Sequence, residues 1–576
     1  MSFRPVWISG SLLDTDCVSC GMCIGTCPTG AVSAKLPLAK PGPWATTPVP
    51  SICHYCGTGC QLNYDAYGDS LIKVSRREHN PVILGSHCKK GAFGIGYVQD
   101  HERLRKARIR PGRELQETTV EDAIAYAGMR LKELSRRHSP EEIAVFVSPR
   151  LTNEETYLAQ KLARVALRTH NVASFSRLVN RQYDCPEIVS TATYGDLADA
   201  QAILVVNSNL DDEHFVVDLI AKRAIRKGGR LVYIGSRENR TSEPAEVFLR
   251  CTPGTETEVV LGILKAFSQR TGDHLAERPD LAKAIAGIKP KAFEKSTGVE
   301  WTAVEAAAGV LAASIAKVMV FNKDFRGPRV PGDERLFASA AEAFSCPFLA
   351  LREKSNMQGF LDMGASPTWL PGYASIEDET AVDSLEKEWG VVLRDLKGHG
   401  ANLAQALADK KIKVAVVIGE DPIGGDAIPE ELKNGLLAAD FLLVADVFLT
   451  ATASAANVVL PLSALAETSG TITNQERRVQ RARQAIPPRS GMETWQTLAA
   501  LAARMGHRFK MKYANTDEIF EEIRRVVPIY RGVVVDDPGA DGVWDPGLFP
   551  LVRPEPQWTT TAAPTQPIVT LALDCL

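Results

Sequence analysis

Two runs of closely spaced cysteines constrain this chain of 576 residues more than any other feature, and they hold eight of its twelve cysteines within the first 90 residues. The first run is Cys17-x2-Cys20-x2-Cys23-x3-Cys27, and Pro28 follows it directly. Thiolates are soft ligands that hold iron–sulfur clusters, whereas structural zinc sites use pairs of CxxC rather than a triplet followed by Cys-Pro. The first run therefore predicts a 4Fe–4S cluster.

The second run is Cys53-x2-Cys56-x3-Cys60, followed by Cys88 after a gap of 27 residues. Taken alone, these four thiolates would also suit a zinc site. The neighbouring first run favours a cluster, so we expect two 4Fe–4S clusters in all. The glycines between Cys56 and Cys60 would let backbone amides approach the sulfurs, and such hydrogen bonds influence cluster potentials.

The chain contains only one run of the CxxCxxCxxxCP type, the first run. In two-cluster ferredoxins, three cysteines of such a run bind one cluster and the fourth reaches over to the other. On that geometry Cys17, Cys20 and Cys23 need a fourth ligand, and Cys27 belongs to a cluster whose other ligands lie elsewhere. Either Cys27 folds back to close a single cluster, or a neighbouring subunit contributes the matching half. We favour the second alternative, in which residues 1–47 form half of a ferredoxin-like domain.

Composition and charge exclude several classes of function. The chain has 45% hydrophobic and 23% charged residues, a net charge of −3 and a pI near 6.4, which gives no electrostatic case for binding nucleic acid. No apolar run reaches the length of a membrane span, and the N-terminus lacks an apolar signal core. Cysteines crowded into CxxCxxC runs are typical of a reducing compartment. We therefore expect a cytoplasmic protein without membrane insertion.

From about residue 140, short apolar runs alternate with stretches of helical length. Near-continuous apolar strands separated by helices are typical of buried parallel sheets, so the fold class is predicted as doubly wound α/β. The predicted strands are Ile143–Val147, Ile203–Val206, Leu231–Ile234, Val318–Phe321, Val414–Ile418, Phe441–Val444 and Val458–Leu460. Ligands of such sheets bind at the carboxyl ends of strands, which makes Asn207–Asn209, Gly235–Arg237 and Gly419–Pro422 candidate ligand loops.

The alternation fails past residue 525, where the last 51 residues contain eight of the 34 prolines. We expect residues 526–576 to form an extended arm that is partly ordered by contact with something else. The chain then divides into a ferredoxin-like segment at 1–47, a 4Fe–4S domain at 48–108, α/β domains at 109–525 and this arm.

Four motifs follow one another in an order that points to one family. Ser51–Cys60 reads Ser-Ile-Cys-His-Tyr-Cys-Gly-Thr-Gly-Cys, and Cys88–Gly91 reads Cys-Lys-Lys-Gly. Asn356–Gly364 and Gly470–Asn474 follow in the α/β region. With these motifs the chain resembles the molybdopterin oxidoreductases from about residue 14 to 530. The resemblance is strongest to the large subunit of cytoplasmic formate dehydrogenases and to its relative, the large iron–sulfur subunit of complex I.

The same resemblance reveals three departures. Formate dehydrogenases carry a metal-binding cysteine or selenocysteine followed by histidine, but the alignment places Val189-Ser190 there. The loop Gly235–Arg237 lacks the acidic residue that usually holds a guanine nucleotide, and we expect the family's C-terminal β-barrel domain to be absent, because the resemblance ends near residue 530. Lys90 matches the lysine between cluster and pterin, and Arg352 matches the substrate-side arginine. The departures make both cofactor-binding positions vestigial, so we expect no molybdopterin and no catalytic residue.

The resemblance and its departures imply an electron-transfer and scaffold subunit rather than an enzyme by itself. Its complex would be NAD(P)H-linked, with flavin/NAD(P)H-binding and thioredoxin-like iron–sulfur subunits as partners. An electron-bifurcating complex that uses ferredoxin is one setting. Two alternatives stay open: a molybdenum or tungsten formate dehydrogenase-type catalytic subunit whose missing cofactor domain a partner supplies, and a redox-sensing regulatory or assembly protein.

Overall fold

The computed structural model describes residues 17–27, 29, 31–32, 45–77, 85–179, 188–272, 275, 278–322 and 333–533. Its first element is the short helix α1 (Met22–Thr26), which lies inside the first cysteine run. Gly21 precedes α1 with a left-handed φ of 76°, and a Cβ added to it would come within 2.6 Å of the Phe93 ring. The first run is therefore seated against the domain that holds the second run.

A three-stranded antiparallel sheet carries the second cysteine run. Its strands are β1 (Thr47–Ile52), β2 (Gln61–Tyr67) and β3 (Ser70–Arg76), in the order β1-β2-β3. Ile52 pairs with Gln61, so residues 53–60 form a loop closed at its base by two paired strands. Cys88 lies at the N-cap of the short helix α2 (Lys89–Phe93), which packs against β3.

Two mainly parallel sheets form the body of the protein. The larger has seven strands in the order β5-β4-β15-β14-β13-β6-β7. They are β4 (Ala107–Ile109), β5 (Gln116–Thr118), β6 (Ile143–Val147), β7 (Val172–Ala173), β13 (Val414–Ile418), β14 (Phe441–Asp446) and β15 (Val458–Pro461). The strands from β15 to β7 run parallel, whereas β4 and β5 extend one edge antiparallel. β6 and β13 are buried along their whole length because helices cover both faces of the sheet.

The smaller sheet is inserted in the chain between β7 and β13. Its five parallel strands follow the order β10-β9-β8-β11-β12. They are β8 (Ala202–Val206), β9 (Arg230–Gly235), β10 (Val247–Arg250), β11 (Lys317–Asn322) and β12 (Phe348–Leu351). The winding direction of the chain reverses between β8 and β11, and doubly wound sheets bind ligands beyond the carboxyl ends of strands at such a point.

Helices cover both faces of each sheet. Val145 and Phe146 are neighbours on β6 but belong to hydrophobic cores on opposite faces, and Leu204 and Val205 divide in the same way on β8. The helices are α3 (Val120–Arg137), α4 (Asn153–Lys161), α5 (Phe175–Val179), α6 (Tyr194–Ala198), α7 (Leu210–Glu213), α8 (Phe215–Arg226), α9 (Glu256–Thr271), α10 (Pro279–Ala286), α11 (Pro290–Thr297), α12 (Trp301–Ala312), α13 (Asp333–Ala343), α14 (Met357–Asp362), α15 (Glu379–Trp389), α16 (Leu403–Ala408), α17 (Glu430–Leu437), α18 (Ala451–Ala455), α19 (Thr494–Ala502) and α20 (Thr516–Val526).

The three-stranded domain is packed onto one face of the smaller sheet. Cys53, Cys60 and Leu62 share a hydrophobic core with residues of that face, such as Val205 and Leu351. A hairpin of β16 (Gly470–Thr473) and β17 (Val479–Ala482) lies beside β1. The second cysteine run is therefore held between its own small sheet, the smaller parallel sheet and this hairpin.

All seven predicted strands are present, and the predicted doubly wound α/β class is confirmed. The packed part of the chain extends beyond the boundary that we expected at residue 525. Helix α20 ends at Val526, and Tyr530 and Val533 are buried in the larger core because their apolar rings and methyl groups fill it. Residues 534–576 of the predicted arm lie outside the described residues. Among the described helices, none combines the length and the apolar character that crossing a bilayer requires.

Candidate metal centre

The four cysteines of the second run line one cavity of about 770 Å³. Cys53 and Cys60 are 5% and 6% exposed, and Cys56 and Cys88 are half-buried. Burial raises the pKa of the Cys53, Cys56 and Cys60 thiols, and the charge of the neighbouring cysteines raises each of them further. Thiols whose charges act on one another across a shared cavity are placed to hold one common group.

Four thiols around one cavity can serve as ligands of a single zinc ion or of an iron–sulfur cluster. Across the described ranges, no group of three or more His, Cys, Asp or Glu side chains is arranged to hold a single metal ion. This donor set fits a 4Fe–4S cluster, whose cube is larger than one ion.

Backbone amides of the same loop face the sulfurs. The Tyr55 amide donates to Cys53 Sγ. The Thr58 amide donates to Cys56 Sγ, and the dipole of the Cys60 amide acts on its own sulfur at short range. Each of these amides opposes the rise in thiol pKa that burial causes. Amides that stabilise a thiolate also stabilise an anionic cluster bound to it.

Two glycines in the loop are required by close approach and by backbone conformation. A Cβ on Gly57 would come within 2.6 Å of the Arg352 Cβ and 2.7 Å of its carbonyl oxygen. Gly59 has a φ of 67°, in the left-handed region. The predicted approach of amides to sulfurs therefore depends on a loop that fits directly against the end of β12.

The first run is far more open to solvent. Cys17 and Cys23 are exposed, whereas Cys20 lines the same cavity as the second run. Cys27 lies beyond the end of α1, with its sulfur 3.4 Å from the Thr29 hydroxyl. That hydroxyl and the amides that follow it lower the pKa of the Cys27 thiol to about 7. The Cys27 thiol is thus directed towards the residues after it, which favours a role in a cluster other than that of Cys17, Cys20 and Cys23.

The three candidate ligand loops, Asn207–Asn209, Gly235–Arg237 and Gly419–Pro422, contribute no residue to the described lining of the cavity. The lining beyond the smaller sheet comes from residues 211–213, which follow the first of these loops after β8, and from Asn322 at the end of β11. The cavity therefore occupies the crevice at the switch point of the smaller sheet, where the fold is expected to bind ligands.

Charged side chains of both signs line this crevice. The positive ones are Lys89, Lys90, Arg150 and Arg240, and the negative ones are Asp211, Asp212, Glu213 and Glu353. His214 is 2% exposed, and burial lowers its pKa to about 4. Lys90, which the resemblance marked as a cofactor-binding position, thus does face the cavity that the four thiols share.

Arg352 follows β12 and is 1% exposed. Its guanidinium donates to the carbonyl of Ile188 and to the side-chain oxygen of Gln358, each at 3.3 Å. Its carbonyl accepts from Gly57 N at 3.0 Å, and its backbone N–H donates to Gln475 Oε1 at 2.9 Å. Arg352 therefore supports the cluster loop with its main chain, while its side chain is held inside the protein.

Val189 and Ser190 offer no ligand to a metal. Valine has no donor atom, and Ser190 is fully buried with its hydroxyl accepting the Ala350 N–H at 3.0 Å. The preceding residues 180–187 lie outside the described residues. At these positions the described residues provide neither the cysteine nor the histidine that the family's metal site uses.

Sequence reasoning missed the residues that hold the cluster loop from outside. Arg150, Tyr194, Gln475 and Gln480 all donate hydrogen bonds to carbonyls of that loop. They come from distant parts of the chain, so no spacing connects them. One weak signal existed: Gln475 and Gln480 follow closely after the family motif Gly470–Asn474, but the motif assigned them no role.

Two family models match the chain and together span most of it. The family described as Molybdopterin oxidoreductase matches residues 103–504. The family described as Molybdopterin oxidoreductase Fe4S4 domain matches residues 46–100, which includes the whole second cysteine run. These matches confirm the family resemblance and an iron–sulfur domain at the position of the second run.

Individual proteins that are similar to this chain include a formate dehydrogenase subunit and an NADH-quinone oxidoreductase subunit. The F420-dependent formate dehydrogenase subunit alpha of Methanocaldococcus jannaschii is 31% identical over 87% of this chain and 76% of its own length. An NADH-quinone oxidoreductase subunit of Rhizobium meliloti is 30% identical over 95% of this chain and 65% of its own length. Among solved structures, acetylene hydratase from Pelobacter acetylenicus shares the fold at a TM-score of 0.64 and 16% identity, over 82% of this chain and 71% of the hydratase.

Proposed function

Because the chain belongs to the molybdopterin oxidoreductase family, we propose that it is the iron–sulfur electron-transfer and scaffold subunit of a cytoplasmic, multi-subunit, NAD(P)H-linked oxidoreductase complex. The observation that supports this most is the cavity shared by Cys53, Cys56, Cys60 and Cys88. Its four thiols and inward-facing amides form a complete ligand set for one 4Fe–4S cluster.

A second 4Fe–4S cluster would then be held by the first run. Cys20 lines the cavity of the second run, and Gly21 packs against Phe93 of α2. This seat would bring the two clusters next to each other, so electrons would pass from one to the other within the chain. The exposed side of the first run would exchange electrons with a partner.

The same exposed side suits a partner that completes the first cluster. Cys17 and Cys23 face solvent, and the Cys27 sulfur is directed towards Thr29. A subunit with a matching CxxCxxC run would supply the missing ligands and bind Cys27 into its own cluster. Flavin/NAD(P)H-binding and thioredoxin-like iron–sulfur subunits, with ferredoxin as a further electron carrier, would form the rest of the chain of electron transfer.

The chain would carry out no molybdopterin chemistry of its own. Ser190 uses its hydroxyl to bind the backbone of β12, and the Arg352 guanidinium is engaged by Ile188 and Gln358. Family members keep a fold after losing a site, because function depends on particular residues rather than on the fold. We expect the complex purified with this chain to contain iron without stoichiometric molybdenum or tungsten.

The alternative is a molybdenum or tungsten catalytic subunit completed by a partner. It is favoured by Lys90, which lines the cavity, and by the family match across residues 103–504. Metal analysis of the affinity-purified complex separates the two functions. Iron alone, with NAD(P)H-driven reduction of the clusters through co-purifying subunits, supports the electron-transfer subunit. Stoichiometric molybdenum or tungsten that follows this chain through purification would establish the alternative and refute our proposal.

A further inference from the structure

In three peptide units of the cluster loop, the carbonyl accepts a hydrogen bond from another part of the fold, and the N–H acts on a cysteine sulfur. The peptide between His54 and Tyr55 donates its N–H to Cys53 Sγ, while its carbonyl accepts from Arg150 Nη1 at 2.7 Å. Arg150 Nη1 also donates to the Tyr55 carbonyl at 2.7 Å. The guanidinium of Arg150 comes from the carboxyl end of β6 in the other sheet, so it fixes this part of the loop from a separate element.

The other two units show the same arrangement. The peptide between Gly57 and Thr58 donates its N–H to Cys56 Sγ, and its carbonyl accepts from Gln475 N at 2.8 Å. The N–H of the last peptide before Cys60 lies beside the Cys60 sulfur, and its dipole lowers the pKa of that thiol. The carbonyl of that peptide, on Gly59, accepts from Gln480 Nε2 at 3.1 Å.

We infer that Arg150, Gln475 and Gln480 form a carbonyl clamp that aims three amide dipoles at the cluster of the second run and thereby raises its reduction potential. This inference rests on the proposed binding of a 4Fe–4S cluster by the second run. The three are positioning residues: they act through the peptides that they hold.

The physical reason is the fixed geometry of a peptide. Its C=O and N–H point in opposite directions, so a donor that holds the carbonyl outward also holds the N–H inward. Reduction adds a negative charge to a buried cluster, and N–H dipoles already aimed at its sulfurs stabilise that charge without reorganisation. Without the outer donor, the peptide loses the partner that opposes its rotation, and the reduced cluster loses part of its stabilisation.

The clamp also explains why a family motif persists in a chain without a Cys-His pair at the position of the family's metal site. Gln475 and Gln480 are 1% and 0% exposed, and both belong to the segment that follows Gly470. Gln475 further accepts the Arg352 N–H with its side chain. In this chain the motif acts on the iron–sulfur loop rather than on a substrate.

Gln480→Leu is the decisive variant, because it removes one clamp donor without changing any charge. The midpoint potential of the second-run cluster is measured by EPR-monitored redox titration of the full chain, with its signal identified by its loss in Cys56→Ala. We expect the equilibrium constant for one-electron reduction of the cluster to fall roughly tenfold. This corresponds to a shift of the midpoint potential by about 59 mV to more negative values. The iron content should not change. Gln160→Leu is the matched control, since Gln160 is equally buried but bonds to Arg164.

Arg150 provides a second, independent test. Arg150→Met should lower the potential, and Arg150→Lys should restore part of it because a lysine keeps a charged donor near the same carbonyls. If Gln480→Leu loses its iron, the potentials of Arg150→Met and Arg150→Lys decide whether the clamp raises the reduction potential. The inference is overturned if Gln480→Leu and Arg150→Met both keep the wild-type potential, or if Gln160→Leu shifts the potential equally. Either result would leave the proposed function intact. A wild-type chain without any cluster signal from the second run would instead refute the proposed function.

Discussion

The two cysteine runs show how differently one chain can treat the same ligand chemistry. The second run is enclosed by three parts of the fold, with Cys53 and Cys60 at most 6% exposed and its loop carbonyls bonded to distant side chains. The first run has a five-residue helix with no buried residue, and Cys17 and Cys23 are exposed. On our proposal, the chain builds the enclosed cluster site by itself and offers the open run as part of an interface.

The largest effect should come from removing a ligand of the enclosed site. Cys56→Ala leaves three thiols in the cavity, so about four irons and one EPR signal should be lost. Cys23→Ala is the matched change in the exposed run and should leave that signal in place. Iron analysis and low-temperature EPR of both variants check this. An unchanged spectrum in Cys56→Ala would show that the second run holds no cluster.

The next test separates a self-sufficient site from a shared one. Expressed alone and reconstituted anaerobically, the chain should hold about four irons stably, and about four more only with its partner subunit. The reason is that Cys17, Cys20 and Cys23 supply three ligands to a cluster that requires four. About eight irons in two well-resolved clusters of the lone chain would mean that Cys27 closes its own cluster.

A pair of glycine substitutions compares the packing around the two runs. Gly57→Ala would place a Cβ within 2.6 Å of Arg352 Cβ, and overpacking of this kind costs about 2 kcal/mol. Gly25→Ala lies in α1 with its nearest neighbour at 3.8 Å, so it should not destabilise the protein and should favour the helix by up to about 1 kcal/mol. The urea concentration at which cluster absorbance is lost measures both. Equal sensitivity at the two positions would contradict the contrast between a packed and an open run.

The smallest predicted effect concerns one outer hydrogen bond of the enclosed loop. Tyr194 is 2% exposed, and its hydroxyl donates to the Thr58 carbonyl at 2.9 Å. Tyr194→Phe should lower the free energy of unfolding around the loop by about 1 kcal/mol, the net value of a typical hydrogen bond. Tyr67→Phe, at a tyrosine that is 55% exposed, is the control and should change nothing. The same urea titration detects both, and a larger loss for Tyr67→Phe would reverse the expected order.

Local patterns were sufficient for the strands and for the presence of an iron–sulfur domain at residues 46–100. Runs such as Val414–Ile418 are apolar along the whole length of a strand. A short run of this kind is typical of a parallel strand that is buried on both faces, and that is how the structure places it. The boundary at residue 525 was less accurate, because two buried positions, Tyr530 and Val533, are too few to establish a helical or strand period. Their burial depends on a core built from residues far away in the chain.

By itself, the sequence determined the ligand chemistry, the α/β class and the family, because cysteine spacing and apolar periodicity are properties of neighbouring residues. Only the tertiary structure decided which run is enclosed and which is open, and which donors hold the loop. Arg150 and Gln480 are 330 residues apart, yet both bind carbonyls of residues 54–59. Hydrogen bonds between such distant residues depend on how β6, the hairpin and the small sheet pack together, and no local pattern encodes that arrangement.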